Sequence, residues 1–126
     1  MRHQLRLVLV LLFAVALVTP VLAQETKAVK AVAGMLLTLN HFPNDAQKKE
    51  LQALADAKTT TPQEKVIVTA VMNLVHSVSA ADKPKVEALM KDPAATASVK
   101  TLAGILDKFL HMATDADKVA LKKMAS

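Results

Sequence analysis

Apolar residues return along this chain at helical spacing. Val32, Met35, Leu36 and Leu39 fall on one face of a 3.6-residue helix, and so do Ile67, Ala70, Val71 and Leu74. No segment alternates apolar and polar positions as a strand would. Each such run ends at a short turn, His41-Phe42-Pro43, His76-Ser77-Val78 or His111-Met112-Ala113, after which apolar pairs resume at Leu51/Leu54, Val86/Leu89 and Leu121/Met124. The pattern predicts helix, tight turn, helix, three times over.

The same columns recur every 35 residues. Histidine stands at 41, 76 and 111, lysine at 30, 65 and 100 and again at 48, 83 and 118, and alanine at 46, 81 and 116. Asn44, Ser79 and Thr114 sit where an N-cap is wanted, with Gln47, Asp82 and Asp117 three positions on, in or near the capping-box pattern. Lys58-Thr59-Thr60-Thr61-Pro62 and Lys91-Asp92-Pro93-Ala94-Ala95 separate the units. The expected fold is therefore all-α, three tandem ~35-residue αα-hairpins over residues 24–58, 59–93 and 94–126. They would form either a short α-solenoid of stacked hairpins or a compact helical bundle. Gly34 and Gly104 share a column, which suggests close helix crossings.

In period and hairpin design the repeat resembles tetratricopeptide-type and pentatricopeptide-type repeats. The aromatic signature of the former is absent, so the likeness is one of architecture and implies no functional residue.

Residues 1–23 read as a signal peptide rather than as fold. Arg2 and Arg6 form a basic start, Leu7 to Val18 is an unbroken apolar run too short to span a bilayer, and Val21-Leu22-Ala23 offers a cleavage site after Ala23. Export to a periplasmic or extracellular compartment is expected, leaving 24–126 as a single domain. The whole chain carries sixteen Lys and Arg against eleven Asp and Glu, a net +5. Loss of Arg2 and Arg6 lowers that to +3, with lysine as the only strongly basic residue left. That small charge and the lack of arginine argue against nucleic acid as a partner.

Composition excludes more. With no cysteine, tryptophan or tyrosine, the chain has no disulfide framework, thiolate nucleophile or aromatic platform. No phosphate-binding loop, G-x-S-x-G or H-E-x-x-H motif is present, and the pair Asp107 and His111, four residues apart, reads as a surface ion pair. A non-enzymatic protein without cofactor is expected.

His41, His76 and His111 are the candidate metal or haem ligands. In stacked hairpins, however, equivalent positions lie on the order of 10 Å or more apart. Ligands of one metal lie ~2.0–2.1 Å from it. On that geometry the histidines do not converge, and each is expected to cap the C-terminus of the helix before it. Lys30, Lys65, Lys100, Lys48, Lys83 and Lys118 form two periodic rows that offer a candidate interaction surface. The expected function is a protein-interaction module, with an adaptor, chaperone-like or inhibitor/immunity role. The alternatives are a small-ligand or metal carrier using the bundle interior or the histidine turns, and attachment to an anionic membrane surface through the lysine rows.

Overall fold

A computed structural model describes residues 24–126, so the signal peptide expected over 1–23 lies outside the described residues. The described chain is all-helical: α1 (Lys27–Thr38), α2 (Asp45–Asp56), α3 (Pro62–Met72), α4 (Lys83–Lys91), α5 (Ala97–Asp107) and α6 (Asp115–Ala125). No helix among these residues is long and apolar enough to cross a membrane.

Local chemistry sets the helix starts. Asn44 and Gln47 form a reciprocal capping box at α2, and Thr114 accepts from the Asp117 N–H at α6. Ser79 does the same job one turn before α4, its hydroxyl accepting from Asp82 N–H and its carbonyl from Lys83 N–H. A further column, Thr26, Thr61 and Thr96, caps α1, α3 and α5.

Packing follows a different rule from the sequence units. α2 packs chiefly on α3, α4 on α5, and α6 returns to pack on α1, while α1, α3 and α5 meet one another in the middle. In a stacked solenoid α1 and α6 would lie at opposite ends. Here they are neighbours, so the three units are arranged around an axis instead of along one. Leu36, Val71 and Leu106, one from each inner helix, are fully buried, as are Leu51, Val86 and Leu121 from the outer helices. All belong to one apolar cluster.

Two smaller expectations are corrected. A Cβ added at Gly34 would meet nothing within 4 Å, and one at Gly104 would make only ordinary contact, 3.8 Å from the Met90 sulfur, so neither glycine is required by a close crossing. Asp107 does not pair with His111; its carboxylate accepts from Lys83 at 3.0 Å, because the chain leaves the helix before His111.

Candidate metal centre

The histidines converge. α1, α3 and α5 run side by side toward one end of the molecule, and each is followed by the turn that carries its histidine. There the three backbones join in a closed cycle: His41 N–H donates to His111 O at 2.7 Å, His76 N–H to His41 O at 2.7 Å, and His111 N–H to His76 O at 2.6 Å. The ring centroids stand 4.9 Å apart in all three pairings. The separation expected from a stack is overturned because rotation about an axis brings equivalent residues together there, whereas translation keeps them apart.

Each histidine also sits at the centre of a γ-turn. Phe42 N–H donates to Asn40 O at 2.9 Å, Ser77 to Val75 at 2.7 Å and Met112 to Leu110 at 2.7 Å. The histidine φ angles are +70°, +63° and +64°, the only positive values outside glycine among the described residues. γ-turns of this hand are rare and strained, and a non-glycine residue at positive φ costs about 1–2 kcal/mol. Glycine would adopt the conformation without that penalty. Three side chains are thus held where the backbone would favour none.

The ring nitrogens face one another. His76 Nδ1 and His111 Nδ1 lie 3.0 Å apart, which requires one to carry a proton and the other to accept it. His41 Nδ1 is buried and has no hydrogen-bond partner. One ligand nitrogen from each ring lies within 4.8 Å of the other two, and no carboxylate joins the group among the described residues. The His41 imidazole is held below its ordinary pKa of 6.5, chiefly by desolvation and then by the charges His76 and His111 would carry.

These dimensions fit a metal ion. Two nitrogens each ~2.0–2.1 Å from one metal lie about 3.0–3.4 Å apart at bond angles near 95–110°. The His76–His111 separation is already at that value, and rotation of the exposed rings shortens the wider ones. A metal would replace the shared proton and satisfy His41 Nδ1. Among the described residues, no hydrogen bond ties a ring to a carbonyl or carboxylate of the kind that usually orients metal-binding histidines. The expected capping role is therefore replaced by contact of the histidines with one another.

The lysines are spread out by the same rotation. Lys30, Lys65 and Lys100 fall one on each inner helix, and Lys48, Lys83 and Lys118 one on each outer helix. Of these, Lys83 bonds Asp107, carbonyl and carboxylate, and lies 3.8 Å from Glu87. At the end of the inner helices away from the histidines, Thr26, Thr61, Thr96 and Glu64 border a cavity of about 340 Å³. Glu64 is buried there, accepting from Thr61 N–H at 3.0 Å and from the Thr26 hydroxyl. Both its oxygens are satisfied.

Comparison with known protein families, with curated proteins and with solved structures finds no match. The chemistry of the three histidines carries the functional reading.

Proposed function

We propose that this protein binds a borderline transition-metal ion at His41, His76 and His111, and acts as a metal carrier or buffer rather than as an enzyme. The observation that carries this reading is the convergence of three strained histidines on one axis, one of them with a buried, unpartnered Nδ1. Imidazole donors without thiolate or carboxylate suit Zn(II), Cu(II) and Ni(II) better than Ca(II) or Mg(II), which take oxygen ligands. Rings that no second group orients bind metal more weakly and release it more readily than rings held by a carboxylate, and this favours exchange over permanent structural use. The segment 1–23 expected to direct export would place that exchange outside the cytoplasm.

Thermal melting with and without metal tests the assignment. With Zn(II) or Ni(II) at about 100 times Kd, stability should rise by about 2.7 kcal/mol, which is on the order of 10 °C for a domain of this size. An unchanged melting temperature with each of Zn(II), Ni(II) and Cu(II) would refute it.

A second reading, as a protein-interaction module, draws on a separate observation. Phe42, Val75, Leu110 and Met112 flank the histidines and are all at least half exposed. Apolar side chains gathered in this way are surface that a partner covers.

A further inference from the structure

We infer that the partner covering this face is a second copy of the same chain, and that the metal sits between the two copies, held by three histidines from each. The inference rests on the metal-binding reading and adds to it the way the coordination is completed.

Three nitrogens at one pole of the molecule fill only half of an octahedron. His76 and His111 are exposed, so a metal held at the triad could be reached from outside the chain. No further histidine or carboxylate joins the three from within the described chain. An identical face supplies what is missing: a two-fold axis perpendicular to the pseudo-three-fold lays one tripod over the other and completes six nitrogens.

The surroundings suit such a meeting. Of the five large apolar side chains exposed among the described residues, four are Phe42, Val75, Leu110 and Met112, each adjacent in sequence to a triad histidine. The remaining two neighbours, Asn40 and Ser77, are uncharged, so no charged residue directly flanks a triad histidine in sequence. The exposed area of the four apolar side chains is roughly 400 Å² per copy, a patch of the size that marks functional surface. Two such patches bury about 800 Å², short of the ~1,200 Å² of a stable interface. Apolar contact alone therefore leaves the chain monomeric, and the shared metal joins the copies.

The test uses residues 24–126, which contain the six described helices and the apolar cluster they share. Ni(II), which accepts six imidazoles, is titrated in while mass is followed by light scattering and by native mass spectrometry. The expected result is a monomer without metal, a dimer with metal, and an endpoint at half an equivalent of Ni(II) per chain. Leu110→Lys places a charge on the exposed collar without touching the core or a ligand; it should still bind Ni(II), now as a one-to-one monomer. A wild-type chain that binds one Ni(II) and stays monomeric overturns the shared site and leaves the metal-binding reading standing. A dimer that survives EDTA overturns the metal bridge, and a metal-dependent dimer that Leu110→Lys leaves intact overturns the docking of this apolar face. Absence of any Ni(II), Zn(II) or Cu(II) binding overturns both.

Discussion

At the scale of single residues the histidines are unusual because their backbone and their side chains want different things. A positive φ near +65° is free of penalty only for glycine, while the cluster uses imidazole. The two demands separate under substitution. His76→Asn keeps a residue tolerant of that φ and keeps the backbone cycle, so melting without metal should change little while the metal-induced rise disappears. His76→Gly should raise stability without metal by about 1 kcal/mol, read by urea denaturation, and abolish metal binding; a loss of stability would show that ring packing outweighs backbone strain. His41 adds a pH dependence. Its pKa lies below 6.5 in the folded protein, so the unfolded chain takes up the proton more readily. Stability is thus full above pH 6.5 and falls as pH drops through 6.5 toward the folded value, below which the loss stops growing. Urea midpoints at pH 7.5 and pH 5 should show the decline, and His41→Asn should flatten it. Gly34→Ala is a simpler case: with open space around it in mid-helix, alanine should stabilise by about 0.5–1 kcal/mol.

At the scale of helices much was legible in the sequence, because caps and amphipathic faces are local. Asn44, Ser79 and Thr114 act at the starts where their column places them. Thr26, Thr61 and Thr96 share the same period, each standing directly before its helix with its hydroxyl accepting from the N–H three residues on, but the threonines beside Thr61 make that column look like a break between units. Glu64 shows how local and long-range roles merge. It closes the capping box with Thr61 and accepts from Thr26 of the neighbouring unit, in a column where the other two members, Val29 and Val99, are apolar. That the carboxylate is buried could not be read from its spacing, since it depends on α1 standing beside α3. Thr61→Ala should cost about 1 kcal/mol in urea denaturation through the lost cap alone, with metal binding retained.

At the scale of the whole molecule, a sequence period defines the unit but not the operation that relates units. Translation and rotation both give 35-residue columns, and only the second brings His41, His76 and His111 together. One signal did bear on the choice. An open stack needs a polar outer face on its terminal units, yet α1 and α6 are as apolar on their packing faces as their counterparts inside the chain, with Val32 and Leu36 against Leu102 and Leu106, and Leu121 against Val86. Such faces are satisfied when the last helix returns to the first. Closure also brings the two ends of the described residues near each other: Glu25 and Met124 border the same cavity, and Glu25 accepts from the Ser98 hydroxyl. A ring therefore has no privileged starting point. Joining Ser126 to Gln24 by a short Gly-Ser linker and opening the chain between Lys58 and Thr59, both exposed, should leave the helix pairs and the histidine cycle intact. The expected permutant has native circular dichroism, a cooperative urea transition within about 2 kcal/mol of the original, and the same metal response. In an open stack the same rearrangement would have to bridge the two far ends, and the permutant would unfold or aggregate; that outcome would argue against α6 closing on α1.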